Sequence, residues 1–124
     1  MEKGRVVILG AGTGVPYVTT DTGASLHALE LKCDVLMKAT KVDGIYDKDP
    51  VEHKDAKRYR AISFKDAIEM DDVQVMDTAA LAMSKDNNMP VMVFELFRGE
   101  NLIKAVAGDD IGTYVSNDVT TELI

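Results

Sequence analysis

The stretch Val6-Val7-Ile8-Leu9 runs straight into Gly10-Ala11-Gly12-Thr13-Gly14-Val15-Pro16, and this junction limits what the chain can fold into more than any other feature. A short, wholly apolar, β-branched run has the make-up of a strand buried on both faces, and the glycines end it in a loop. Behind the loop, Thr19-Thr20-Asp21-Thr22 offers several N-caps. Ala24, Leu26, Ala28, Leu29 and Leu31 then predict a helix reaching about Lys32. Asp34-Val35-Leu36-Met37-Lys38-Ala39 is short and apolar again. Strand, helix and strand at this spacing form a crossover unit, which calls for parallel strands.

The remainder extends the same alternation. Residues 40–59 are polar and turn-rich, with Asp43-Gly44 and Asp49-Pro50 as punctuation, and are too long for a minimal connection. Ser63-Phe64-Lys65-Asp66 resembles a capping box with Asp in the last place and predicts a short helix. Asp77-Thr78-Ala79-Ala80-Leu81-Ala82-Met83 predicts a firmer one, stopped by Asn87-Asn88-Met89-Pro90. Val91-Met92-Val93-Phe94 reads as a strand, residues 100–107 as a helix ending at Gly108, and Gly112-Thr113-Tyr114-Val115 as a closing strand. The expectation is an α/β layer, a mainly parallel sheet sandwiched by helices over residues 1–115, with a tail at 116–124. Three or four strands are few for a sheet with two apolar faces.

Composition narrows the function classes. The length of 124 residues suits one domain, and 46% apolar with 28% charged residues suits a buried core rather than disorder. With 21 acidic against 14 basic residues, a net charge of −7 and no basic run, a nucleic acid polymer is a poor partner. A small anion held by backbone groups fits better. No apolar run approaches the roughly 18 residues needed to cross a bilayer, and the first residues lead directly into the strand-like run, so neither membrane spanning nor secretion is expected. The lone Cys33, with His27 and His53, forms no Cys/His metal framework and reads as a chain of the reducing cytoplasm. We expect Cys33 to be buried, both histidines to lie on the surface, and Met70, Met76, Met83, Met89 and Met92 to fill gaps in the core.

Three segments can carry chemistry. In the glycine loop, backbone N–H groups can approach a phosphate closely, next to the positive N-terminus of the following helix. The same residues also serve as a plain strand-to-helix turn. A nucleoside triphosphate P-loop would need a lysine that is absent, and the dinucleotide fingerprint fails at Val15, with Glu30 inside the predicted helix. Thr13, Thr19, Thr20 and Asp21 form the second group, either phosphate-binding hydroxyls beside an acid that accepts from a ligand or holds a lysine, or helix caps. The third, Lys38-Ala39-Thr40-Lys41-Val42-Asp43-Gly44-Ile45-Tyr46-Asp47-Lys48-Asp49-Pro50, starts at the carboxyl end of a predicted strand, where open α/β sheets collect ligands. Lys38 or Lys41 can offset phosphate charge, Tyr46 offers a face to a base, and Asp49 can accept from a ribose or help hold magnesium. Read as structure alone, the segment is two turns and a solvated rim. Asp77, after Val75-Met76, either caps its helix or points a carboxylate into a cleft.

Together these stretches resemble the bacterial uridylate (UMP) kinases of the amino acid kinase family. The likeness rests on Gly12-Thr13-Gly14-Val15-Pro16-Tyr17-Val18-Thr19-Thr20-Asp21, on the segment from Lys38 to Pro50, on Val75-Met76-Asp77, and on Gly108 to Gly112-Thr113. It implies an amino acid kinase-like fold and transfer of the ATP γ-phosphoryl group to UMP, with magnesium, in pyrimidine nucleotide synthesis. Thr13, Gly14, Val15, Pro16, Tyr17, Val18, Thr19 and Thr20 would line the UMP site, and Asp21 would organise the reaction centre. Thr40, Tyr46 and Asp49 would contact ATP, and Asp77 would position a catalytic lysine. Two features depart from the family. Val15 stands where Asn is usual and Val18 where an aromatic is usual, removing an amide and a ring from the implied UMP site. The family also begins with a further half-chain that supplies a lysine-glycine-rich strand, another glycine loop, and an arginine and an aspartate near the phosphates.

The expectation is therefore the C-terminal, nucleotide-binding half of such a kinase, with little activity alone, joined by a missing N-terminal half or assembled as the family's hexamer. Phosphoryl transfer depends on positioning and charge, so missing cations matter. The rivals are a non-catalytic nucleotide-binding module and a dinucleotide-binding oxidoreductase fragment.

Overall fold

The computed structural model describes residues 3–70 and 76–124. Its elements run α1 (Thr20–Glu30), β1 (Leu36–Thr40), β2 (Tyr59–Ser63), α2 (Phe64–Glu69), α3 (Thr78–Asp86), β3 (Val91–Glu95), α4 (Asn101–Ala107), β4 (Thr113–Ser116) and β5 (Glu122–Leu123). The five strands form one sheet in the order β1-β3-β4-β2-β5.

Strand β3 shows why the sheet needs helices on both sides. Side chains alternate across a strand, so Val91 and Val93 face one way and Met92 and Phe94 the other. The first pair joins Ile45, Ile62, Phe64, Met76, Ala80, Leu81 and Val115, under α2 and α3. The second pair packs with Ala105 of α4, flanked by Val35, Met37 and Ile111. All four residues of Val91-Met92-Val93-Phe94 are buried, as a wholly apolar strand requires.

The α/β class with helices on both faces therefore holds, but strand direction is evenly divided. β1/β3 and β2/β4 are parallel, while β3/β4 and β2/β5 are antiparallel, so the sheet is mixed rather than mainly parallel. The reversal comes at β4, which follows α4 back alongside β3 with Val93 opposite Thr113.

Further readings are corrected. Val6-Val7-Ile8-Leu9 forms no strand: Val6 is 93% and Ile8 92% exposed, and none of the five strands pairs with this run. An apolar run becomes a strand only beside a hydrogen-bonded neighbour, and among the described residues β1 is itself the edge of the sheet. Strand β2 lies where a loop and a cap were expected. Only Ile62 of its residues is fully buried, so its sequence carries a weak apolar pattern, and pairing with the distant β4 creates it. The segment expected as a tail contributes β5, whose Leu123 pairs with Tyr59. Cys33 is half-buried rather than buried. Met76, Met89 and Met92 are core residues, whereas Met70 and Met83 are only partly covered. His53 is exposed, and His27 is half-buried with Nδ1 3.0 Å from Glu30. Val75 lies outside the described residues.

Helices α1 and α3 pack side by side through small residues. Ser84 Oγ lies 3.4 Å from Ser25 Oγ, both fully buried, while Asp77 at the head of α3 meets Thr19 and Thr22 at the head of α1. These contacts pair the same ends, so the two helices run in one direction and bring their N-termini together.

Candidate functional site

The paired helix heads form the centre of the site. Thr19 caps α1: its Oγ1 accepts from the Thr22 amide at 3.1 Å, and the same hydroxyl donates to Asp77 Oδ2. Asp77 caps α3 through Oδ1, which accepts from the Ala80 amide at 2.8 Å and from Thr22 Oγ1 at 3.1 Å. One carboxylate thus fastens both helices at their positive ends. Burial pushes the Asp77 carboxyl up, but the hydrogen bonds from Thr19, the Ala80 amide, Thr22 and the Ala79 amide outweigh it and hold the group below the usual carboxylate range.

Asp21 sits in the first turn of α1 and binds Lys38 of β1 at 2.6 Å, with both side chains about a quarter exposed. This ion pair joins the head of α1 to the middle of β1. Thr40 closes β1 at the same rim, its carbonyl accepting from Leu96 N and its Oγ1 from Val42 N at 3.2 Å. The segment 13–21 and the start of the segment 40–49 therefore share one edge of the sheet, beyond the carboxyl ends of β1 and β3.

The glycine loop lies against α1. A Cβ built on Gly23 would come 3.4 Å from Thr13 Cγ2, an ordinary contact, so Thr13 rests on the first turns of the helix. Thr13 Oγ1 accepts from the Val15 amide at 3.2 Å and closes the turn. Gly12 and Gly14 have left-handed backbone, the freedom their residue type provides. Tyr17 adopts the same conformation (φ 65°), which an L-residue pays for in strain and which lifts its ring clear of the protein. Gly14, Val15, Pro16, Tyr17, Val18, Thr19 and Thr20 line an open, solvent-facing ledge beside the helix head. Between the start of the glycine loop and α1, a cleft of about 440 Å³ is lined by Leu9, Gly12, Thr20, Gly23, His27 and Cys33 among others.

Tyr46 and Asp49 belong to a hairpin-like excursion between β1 and β2. Tyr46 donates to Asp43 Oδ1 at 2.6 Å, and that bond, with burial, raises the phenol above its ordinary value. Asp49 is exposed and caps a turn by accepting from the Val51 amide at 2.7 Å. Both spend polar atoms within their own loop. Beside it, a polar cleft of about 190 Å³ lies between Asp43, Arg58, Glu95, Arg98, Asn101 and Gly112.

Sequence reasoning proposed Asp21, Asp77 and the threonines separately, and missed that Thr22 shares Asp77 and that Lys38 is the partner of Asp21. The pattern Asp21 to Lys38 carried a usable signal, an acid at a helix head and a cation on the next strand. Nothing local joined Thr19 to a residue 58 positions away. Chemically, the rim offers two helix N-termini, the hydroxyls of Thr13, Thr20 and Thr40, and Lys38 to an anion. Asp77 takes the hydroxyl protons of Thr19 and Thr22, and Asp21 holds Lys38 in place. No group of three or more His, Cys, Asp or Glu among the described residues could hold a metal ion by itself. No helix among them is long and apolar enough to cross a membrane.

Comparison with known proteins bears on the family and the fold. The amino acid kinase family model matches residues 1–95. The UMP kinase of Bacillus anthracis superposes with a TM-score of 0.93 at 35% identity, covering 99% of this chain and 50% of that one. The UMP kinase of Ureaplasma parvum gives 0.76 at 34% identity (85% and 45% covered), and the uridylate kinase of Archaeoglobus fulgidus 0.69 at 33% (82% and 49%). The chain spans about half the length of each of these structures. On sequence and fold alike, it belongs to the amino acid kinase family.

Proposed function

We propose that this chain is the nucleotide-gathering half of a UMP kinase, acting in the transfer of the ATP γ-phosphoryl group to UMP to give ADP and UDP. The observation that carries the reading is the Asp21–Lys38 ion pair, which ties the head of α1, next to the glycine loop, to β1, the strand that ends at Thr40 and leads into the segment bearing Tyr46 and Asp49. The likeness to three UMP kinases supports the choice of substrate.

In this reading the amides and hydroxyls of residues 13–20 receive the UMP phosphate, helped by the α1 dipole. Asp21 and Lys38 orient the reacting phosphates, Asp77 holds Thr19 and Thr22 in place, and Thr40, Tyr46 and Asp49 meet ATP. Magnesium supplies charge neutralisation on the ATP phosphates when bound. With no three-ligand cluster among the described residues, it would be carried mainly by the nucleotide, as Mg²⁺ commonly is in such sites. Reaction in the cytoplasm follows from the same substrate choice.

Phosphoryl transfer needs several cations around the transferred group. Because the chain covers half of each kinase it resembles, we expect both nucleotides to bind weakly and turnover by this chain alone to be slow or absent. The remaining half of the fold, or a homo-oligomeric assembly, would complete the centre. A binding module without turnover is the second reading, favoured by that same half coverage. Titration calorimetry with MgATP and with UMP, followed by a UDP-forming assay with and without a polypeptide supplying the other half, tests both. Binding with turnover only on complementation supports the kinase reading, and binding with no turnover in either case supports the module. Absence of binding by either nucleotide defeats both.

A further inference from the structure

The excursion that carries Tyr46 and Asp49 is anchored at one corner, the Gly112-Thr113 entrance to β4. Thr113 is fully buried. Its Oγ1 accepts from the Ile45 amide at 2.9 Å and donates to the Tyr59 carbonyl at 2.5 Å. Ile45 and Tyr59 are the two arms of the excursion, also joined by Tyr59 N–H to the Ile45 carbonyl at 2.7 Å. One side-chain hydroxyl therefore bridges both arms and fixes them to the sheet. The fit around it is tight: a Cβ on Gly44 would lie 2.5 Å from Thr113 Oγ1 and 2.7 Å from Arg58 Cδ. Arg58 adds a second hold, donating through Nη1 to the Gly112 carbonyl, with Nε 3.8 Å from Asp43, the acceptor of Tyr46.

We infer that Thr113 is a positioning residue for nucleotide binding: its hydroxyl, through Ile45 and Tyr59, sets where Tyr46 and Asp49 stand at the rim and so sets the affinity for ATP. The inference rests on the ATP reading of that loop. Valine matches threonine in shape but lacks the hydroxyl, so it leaves the buried Ile45 N–H and the part-buried Tyr59 C=O without that partner, while serine keeps the bridge.

The test measures MgATP affinity by calorimetry and amide exchange element by element, in the wild-type 124-residue chain, Thr113→Val and Thr113→Ser. In Thr113→Val, MgATP should bind about tenfold more weakly and residues 44–58 should exchange faster, as expected for losing one buried bridge. Exchange in α1 should be unchanged, and Thr113→Ser should restore both measurements. Unchanged MgATP affinity in Thr113→Val, or acceleration spread evenly over α1 and the sheet, overturns the inference. Failure of the wild-type chain itself to bind MgATP is a separate result, which removes the ATP reading and the inference with it. If Thr113→Val does not fold, Arg58→Met loosens the same corner from a partly exposed position. It should weaken MgATP in the same sense, and no change in either measurement counts against the corner.

Discussion

Asp77→Ala should be the most informative single change in the chain, because Asp77 caps one helix and holds the head of another. The cap bond to the Ala80 amide is 2.8 Å long, and loss of an Asp cap costs about 1 kcal/mol, within a range of roughly 0.5–2. The bonds from Thr19 and Thr22 add about 0.5–1 kcal/mol each, toward the low end because the Thr19 hydroxyl can turn to water. The sum is about 2–3 kcal/mol. For a small domain with a urea slope of about 1–3 kcal/mol/M, the midpoint should fall by about 0.7–3 M.

Asp77→Asn separates cap from charge. Asn caps as well as Asp, so the variant should lose only about 0.5–1 kcal/mol at neutral pH. The acid limb fixes the sign. The folded-state value of Asp77 lies below its unfolded value, so its contribution is complete above the unfolded carboxyl range and disappears as pH falls through the folded value. The gap between wild type and Asp77→Asn should therefore close on acidification below about pH 4. Urea melts of all three proteins across that range decide the matter. A cost for Asp77→Ala under about 0.5 kcal/mol, or a gap indifferent to pH, refutes the clasp.

Other positions separate core, corner and surface. Gly112→Ala should prevent normal folding, since its Cβ would lie 2.0 Å from the Val93 carbonyl oxygen at a φ of +72°, and soluble yield with a melting curve will show it. Phe94→Ala, at a residue 1% exposed, should cost about 3–5 kcal/mol by urea titration. Ile8→Lys should leave stability of this chain within about 0.5 kcal/mol and improve its solubility, because Ile8 is 92% exposed; a large loss would show that residues 6–9 do pack.

The elements legible in the sequence are those whose cause is local. Thr19, Ser63 and Asp77 each cap the helix expected after them, and Gly108 ends α4 in left-handed backbone as a C-terminal glycine should. Val91-Met92-Val93-Phe94 announced a strand covered on both faces because all four residues are apolar. Where the cause is a distant partner, the letters mislead in both directions. Val6-Val7-Ile8-Leu9 has a stronger strand composition than Tyr59-Arg60-Ala61-Ile62-Ser63, yet only the second finds neighbours to pair with, β4 on one side and β5 on the other. Strand direction was hidden for the same reason, since nothing in Thr113-Tyr114-Val115-Ser116 states that it runs against β3.

The candidate site divides along the same line. Its residue types were visible because hydroxyls and acids at helix heads are themselves local signals, but their assignments to one another were not. Asp77 and Asp21 read alike in the sequence, an acid at the first turn of a helix. In the fold they do different work: Asp77 takes hydrogen bonds from neutral donors and fixes backbone, whereas Asp21 takes a lysine and so sets charge at the rim. Replacing Lys38 by Met should therefore weaken nucleotide binding while leaving the urea midpoint within about 0.5 M of wild type, since partly exposed ion pairs add little stability. Asp77→Ala should lower both. If Lys38→Met instead destabilises the chain as much as Asp77→Ala does, the Asp21–Lys38 pair is a structural tie between α1 and β1, and its role at the phosphates falls away.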